Sequence, residues 1–402
     1  MPTDFNLPVG PFHPLLEEAE FFKIKLDGEV VADIEMETGW MHRGIEKISE
    51  ESTFDQSIFA VERICGICSA SHPFACVNAF EDIDDIDIPL RARYIRSLVG
   101  ELERIHSHLL WLGLAGHFIG YDTLWMWAWK YREPILEIIE KTTGNRNHYA
   151  MFRIGGVRRD FDPSLSDELN EKLDTVARKL TMVTKAAMDD PVLKSRLSGV
   201  GVLTKEAAID YCAVGPTARA SGVAIDVRKD EPYAAYDLVD FEVVVQEGGD
   251  VFAKTVVRIL EVFESIKIIR QCIKALSKTG GAIFNDAKSI SAGEGIGRHE
   301  APRGEVFHYI RSDGSNRPVR HKIRAPSYVN IPTYKASCVG ENLADVLITL
   351  AAVDPCYCCT ERSVKMQDEN GKELTESLLK RSQDKTEELI RELGEYEAWR
   401  YL

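Results

Sequence analysis

Leu90–Leu112, LRARYIRSLVGELERIHSHLLWL, is the stretch on which the fold turns. Tyr94, Leu98, Leu102, Ile105 and Leu109 recur at spacings of three and four, which places them on one face of a helix, and Pro89 stands just before its start. Similar periodicities predict helices over about Trp125–Glu140, Ser164–Met188 and Asp250–Ser277, the last long enough to cross a domain. Ahead of them, Phe22, Ile24 and Leu26 alternate before Asp27-Gly28, with Val31, Ile34 and Met36 beyond it, so residues 19–38 read as a β-hairpin. Short strand-like runs and loops rich in Gly, Pro and Arg are expected over about 293–340. The fold class is therefore α+β, mainly α: a central bundle of long helices over about 49–290, a small N-terminal antiparallel sheet and peripheral short strands.

The chain has 402 residues, 45% of them hydrophobic and 28% charged, which is ample for a sizeable core. A net charge of −15 argues against nucleic acid and anionic lipid as partners, because both need a basic face. No apolar run reaches the roughly 20 residues of a membrane span, and the first residues lack the pattern of a secretory signal, so a cytoplasmic location is expected. The acidic run Glu81–Asp87 reads as a solvated loop, and the basic run Arg317–Arg324 as a solvated face. Trp125, Trp127 and Trp129 read as ordinary core, with a partner surface as the alternative for both of these last two groups.

Nine cysteines, several of them close neighbours, suit metal binding better than a disulfide framework. Two Cys-x-x-Cys pairs stand near opposite ends of the chain: Cys65-Gly-Ile-Cys68 and Cys356-Tyr-Cys-Cys359. A two-residue spacer lets both sulfurs of a pair turn to one ion, and two pairs together make a four-thiolate pocket for zinc, iron-sulfur, copper or nickel. Spacing alone leaves a structural zinc scaffold open. Residues 341–353 read as a buried helix that delivers the chain to Asp354-Pro355-Cys356.

The flanking residues narrow the choice. Arg63-Ile-Cys-Gly-Ile-Cys-Ser-Ala-Ser-His72 and Asp354-Pro-Cys-Tyr-Cys-Cys-Thr-Glu-Arg362 together resemble the two metal signatures of nickel-iron hydrogenase large subunits. Gly10-Pro-Phe-His-Pro14, Gly100 to His108, Gly155 to Arg159, Gly215 to Arg219 and Gly293 to Gly304 resemble the membrane-bound, energy-converting (group 4) branch. That branch is related to the 49 kDa, quinone-site subunit of respiratory complex I, whose members lack the four cysteines.

The resemblance implies a nickel and iron centre, with carbon monoxide and cyanide on the iron. Cys65 and Cys356 would be terminal ligands of nickel, and Cys68 and Cys359 would bridge to iron. His72 would hydrogen-bond a bridging cysteine, Pro302 and Arg303 would cover the diatomic ligands, and Asp354 would face the same region. Glu46 matches the proton-exit glutamate of most hydrogenases, and Glu18 the alternative carboxylate of the membrane-bound branch. Cys358 reads as a packed thiol rather than a ligand, as do Cys76, Cys212, Cys272 and Cys338. Arg362 replaces a histidine that supports a divalent ion in soluble relatives, which speaks against magnesium. Residues 1–362 would form the body; the tail 363–402 would be either removed by a maturation protease or kept docked as an amphipathic helix. The implied activity is reversible hydrogen oxidation and proton reduction, on the cytoplasmic face of the cell membrane. Electrons would pass through a small subunit with a 4Fe-4S cluster and other iron-sulfur subunits to ferredoxin, over antiporter-like membrane subunits. The alternatives are a complex I-like or sulfur-reducing subunit without hydrogen turnover, and the zinc scaffold.

Overall fold

A computed structural model describes residues 4–13, 16, 18–286, 289–360, 380, 384–388 and 390–391. The described chain runs β1 (Asp4–Val9), β2 (Phe21–Asp27), β3 (Val30–Glu37), α1 (Ile45–Glu51), α2 (Phe54–Glu62), α3 (Ser71–Ile83), α4 (Leu90–Phe118) and α5 (Asp122–Thr143). It continues through β4 (Phe152–Arg153), β5 (Gly156–Val157), α6 (Ser166–Asp189), α7 (Pro191–Leu197), α8 (Lys205–Asp210), α9 (Gly215–Arg219), α10 (Val227–Asp230) and α11 (Val251–Leu276). The last part holds β6 (Ala292–Ala301), β7 (Gly304–Asp313), β8 (Pro318–Arg324), α12 (Pro326–Asn330), α13 (Tyr334–Cys338), α14 (Leu343–Ala352) and α15 (Tyr357–Thr360). The class is α+β, mainly α.

The axis of the molecule is α4, which packs against α5 and α11. It continues six residues past the periodic run because Gly113, Ala115 and Gly116 let α5 approach: a Cβ on Gly113 would meet the Trp129 ring at 2.7 Å, and one on Gly116 the Leu124 side chain at 3.1 Å. Helix α11 starts at Asp250, whose carboxylate accepts the Ala253 N–H at 2.7 Å as an N-cap.

The N-terminal hairpin pairs Phe21–Asp27 with Val30–Glu37 around a two-residue turn, and β1 adds a third antiparallel strand. Phe22, Ile24 and Leu26 are buried, as are Val31 and Ile34. Val31 and Ile34 are three apart, which strict alternation forbids. A bulge opposite Lys25/Leu26 absorbs the extra residue and returns both to the core face. That face packs on α13 and α14, with Phe22 edge-on to Tyr334 and Tyr357, so the sheet backs the second cysteine motif.

Strands, rather than loops, dominate the region after residue 292. β6, β7 and β8 form an antiparallel sheet with two ten-residue strands. The glycines that disguise β6 are what make it fit: it lies directly on α3, and a Cβ on Gly297 would sit 1.9 Å from the Ala75 carbonyl oxygen, one on Gly295 2.1 Å from that of Ala79.

The readings of Glu81 and of the tryptophan cluster are corrected, whereas the basic run is a solvated face at Arg317 and Arg320, which are exposed. Glu81 belongs to α3 and is buried; its carboxylate takes both terminal nitrogens of Arg96, at 2.8 and 2.6 Å, and the Gly155 N–H. The basic strand β8 is ion-paired, Arg320 with Glu50, Lys322 with Glu46 and Arg324 with Glu305, and His321 is buried. Trp127 and Trp129 are about two-fifths exposed, at 39% and 41%, so α5 carries part of its aromatic cluster on the surface.

Candidate metal centre

Each cysteine pair is held by its own element. Helix α2 opens with a reciprocal cap between Thr53 and Gln56 and delivers the chain to Cys65. Helix α14, tied to α4 by the Trp111 Nε1–H bond to the Ala351 carbonyl (2.8 Å), leads to Asp354, whose φ of 57° turns the chain sharply. Arg303 clamps that turn, donating from Nε to the Asp354 carbonyl (2.8 Å) and from Nη2 to its carboxylate (2.7 Å). Pro302-Arg303 is the two-residue turn between β6 and β7. It is seated against Gly215, where a Cβ would lie 2.3 Å from the Arg303 carbonyl oxygen, and Asn330 donates to that oxygen. Arg43 joins the two motifs by donating to the carbonyls of Arg63 (2.9 Å), Ile64 (2.5 Å) and Cys358 (3.4 Å).

These elements bring Cys65, Cys68, Cys356 and Cys359 together, all buried, with sulfurs within 4.8 Å of one another. Cys68–Cys359 and Cys65–Cys356 are 3.4 Å apart and Cys356–Cys359 2.9 Å, well beyond a disulfide bond. The Ile67 and Cys68 N–H groups donate to the Cys65 sulfur at 3.3 and 3.4 Å. Thiol contacts from Cys356 foremost hold Cys65 below the usual thiol range, and contact with Cys358 holds Cys356 down to about 5. Cys68 is pushed up by its Cys356 contact, and Cys359 by burial. Further thiolates in so small a dry volume need a cation to offset their repulsion, so the donor set fits a thiophilic metal.

The surroundings are polar and ordered. Glu18 accepts the Cys358 N–H at 2.7 Å and touches the Cys358 sulfur; burial, then the charges at Cys356 and Cys65, push its carboxyl up to about 8. Cys358 itself lies 3.8 Å from the Cys356 sulfur, between that carboxyl and the pocket. His72 places Nε2 3.5 Å from the Cys359 sulfur. Glu103, missed in the sequence, caps α3 from α4: it accepts the Ala70 and Ser71 N–H groups and the Ser71 hydroxyl, and burial pushes it up to about 8.

Glu46 is not brought to the sulfurs. It is buried on α1, where it accepts the Ile323 N–H at 2.9 Å and pairs with Lys322 and Arg320. Cys76, Cys272 and Cys338 are buried thiols, whereas Cys212 is exposed, which corrects its reading as packed. Arg362 and the tail from residue 363, apart from 380, 384–388 and 390–391, lie outside the described residues.

Residues 119–292 and 282–362 match the family model described as respiratory-chain NADH dehydrogenase, 49 Kd subunit, and residues 43–114 match that of nickel-dependent hydrogenase. The chain is 39% identical to the membrane-bound hydrogenase subunit alpha of Pyrococcus furiosus, over 96% of this chain and 94% of that one. It is 37% identical to the carbon monoxide-induced hydrogenase of Rhodospirillum rubrum, over 90% and 100%, and 37% identical to a subunit of the F(420)H(2) dehydrogenase of Methanosarcina mazei, over 87% and 95%. Among solved structures it superimposes with a TM-score of 0.84 and 31% identity on a chain of the membrane-bound sulfane sulfur reductase, an archaeal respiratory membrane complex, covering 89% of this chain and 98% of that one.

Fold and pocket thus define an oxidoreductase subunit of the kind found in multisubunit membrane complexes. No helix among the described residues is long and apolar enough to cross a membrane. The chain belongs to the family of membrane-bound, energy-converting nickel-iron hydrogenase large subunits and the related 49 kDa subunit of respiratory NADH dehydrogenase.

Proposed function

We propose that the chain is the catalytic subunit of an energy-converting nickel-iron hydrogenase, interconverting hydrogen with protons and electrons. The observation that carries this is the convergence of four buried thiols from both ends of the chain, beside an Arg303–Asp354 clamp and a carboxyl in contact with Cys358. Cys65, Cys68, Cys356 and Cys359 would hold nickel and iron with carbon monoxide and cyanide on the iron; when bound, the pair supplies the site at which hydrogen is polarised and its electrons are taken up.

The chain's own residues do the rest. Arg303, fixed by Asp354 and held close to Ser107, presents a permanent positive charge to the pocket with Pro302 beside it. His72 holds Nε2 3.5 Å from the Cys359 sulfur, where it tunes that sulfur's basicity. Glu18 exchanges protons with the sulfur side through its contact with Cys358. Electrons leave to partner subunits, by analogy a small subunit with a 4Fe-4S cluster, further iron-sulfur proteins and ferredoxin, on antiporter-like membrane subunits at the cytoplasmic face.

Likeness to the sulfane sulfur reductase favours one second reading, a sulfur-reducing subunit with the same thiol pocket. Incubating the native complex with deuterium gas in ordinary water separates the two. Formation of HD supports hydrogen turnover, and its absence from a complex that reduces polysulfide establishes the second reading.

A further inference from the structure

Behind Cys359 the polar contacts do not stop at His72. His72 Nδ1 lies 3.1 Å from Nε2 of His308, His308 Nδ1 lies 2.8 Å from Nε2 of His321, and His321 Nδ1 lies 2.6 Å from the Ser49 hydroxyl. All three imidazoles and Ser49 are fully buried. Every ring has the same orientation, Nε2 toward the cysteines and Nδ1 away from them. Four elements build this row: α3 supplies His72, β7 His308, β8 His321 and α1 Ser49. At its outer end β8 is strapped to α1 by Glu50, which accepts the backbone N–H of His321 and pairs with the exposed Arg320, and by Glu46, which accepts the backbone N–H of Ile323. A neutral imidazole has one N–H and one lone pair, so a head-to-tail row can hold an unbroken run of N–H···N bonds.

We propose that His72, His308, His321 and Ser49 form a proton relay between the cysteine pocket and the rim where α1 meets β8, separate from Glu18. A proton entering at Nε2 of His72 sends the one on Nδ1 to Nε2 of His308. His308 passes its Nδ1 proton to His321, His321 passes its own to the Ser49 oxygen, and Ser49 in turn gives up its hydroxyl proton at the rim between α1 and β8, where Glu50 pairs with the exposed Arg320. One proton enters, one leaves, and no ring keeps a charge; the reverse sequence serves uptake. The relay rests on the hydrogenase reading, which supplies the protons.

Cys76 lies close enough to His308 and His321 for the three to be weighed as a metal site. Burial pushes the Cys76 thiol up, so it stays neutral, and the bond between the two rings occupies the nitrogens that an ion would need.

The test uses the native complex. Solid-state 15N spectra of histidine-labelled complex should show two N–H···N couplings. His321→Gln should remove one, and their absence in the unaltered complex overturns the relay whatever the activity. In parallel, HD formation is measured for Glu18→Gln alone and with His308→Gln or His321→Gln. A further fall of about ten-fold or more with a raised solvent isotope effect, at unchanged metal content, is expected. Rates equal to that of Glu18→Gln alone, or stoichiometric zinc lost on Cys76→Ala, overturn the proposal. A wild-type complex without HD formation instead refutes hydrogen turnover, and the spectra still decide whether the row exists.

Discussion

Glu18 and Arg303 show how burial is put to use at single residues. Burial and the Cys356 and Cys65 charges act in the same direction on Glu18, so its carboxyl keeps a proton up to about pH 8 and can both give and take one near neutrality. Glu18→Gln should therefore lower HD formation by about ten- to a hundred-fold with nickel content unchanged; an unaltered rate removes Glu18 from the path. Arg303→Lys keeps the charge and loses the two-point grip on Asp354, so it should cost metal content as well as rate, whereas full metal loading would show the clamp to be dispensable. At this scale the cysteines, His72, Arg303 and Asp354 are legible because their spacing and flanks repeat a family signature. Sequence could not rank Glu18 against Glu46, since only the fold shows that one meets Cys358 and the other meets β8. His308 and His321 were illegible for a different reason: each is one inward position of an alternating strand, and nothing in a strand pattern distinguishes an aligned imidazole from a packed one.

Among elements, α3 and β6 carry the tightest constraint. Gly297→Ala would drive a Cβ into the Ala75 carbonyl, between backbones that cannot both yield. It should lower soluble yield sharply and, in what folds, move His72 relative to Cys359; wild-type yield and melting would contradict the packing. Helices α3 and α4 are also joined by Glu81–Arg96, and Arg96→Ala strands a buried carboxylate, an expected loss of about 3–5 kcal/mol in thermal unfolding of the chain. On α11 the sign is reversed. Lys254 is buried with its ammonium on the Gly201 carbonyl, and burial lowers it from 10.5 to about 8. Between those pH values the unfolded chain holds more protons than the folded one, so this group makes stability rise with pH from about 8 to 10.5, its cost being full below 8. Lys254→Met should flatten that slope in melting temperature; an identical slope assigns it to other groups. The long helices were legible from periodicity because each buries a stripe. Strand β6 was not, because glycines facing α3 erase the apolar alternation that marks a strand.

In the whole molecule, chain ends far apart in sequence meet at one buried point, and the rest of the fold holds them there. The N-terminal sheet backs Tyr357, α4 ties down α14, and Arg43 spans both motifs. That convergence was legible as a requirement, since four thiolates can share an ion only if they meet; which elements would bring it about was not. Metal analysis joined to infrared spectroscopy of the anaerobically purified native complex tests this most directly. The account predicts nickel in the complex, iron in excess of it from the iron-sulfur partners, and bands from iron-bound carbon monoxide and cyanide, with the nickel and the bands lost on Cys65→Ser. Zinc in the pocket with no such bands would contradict it.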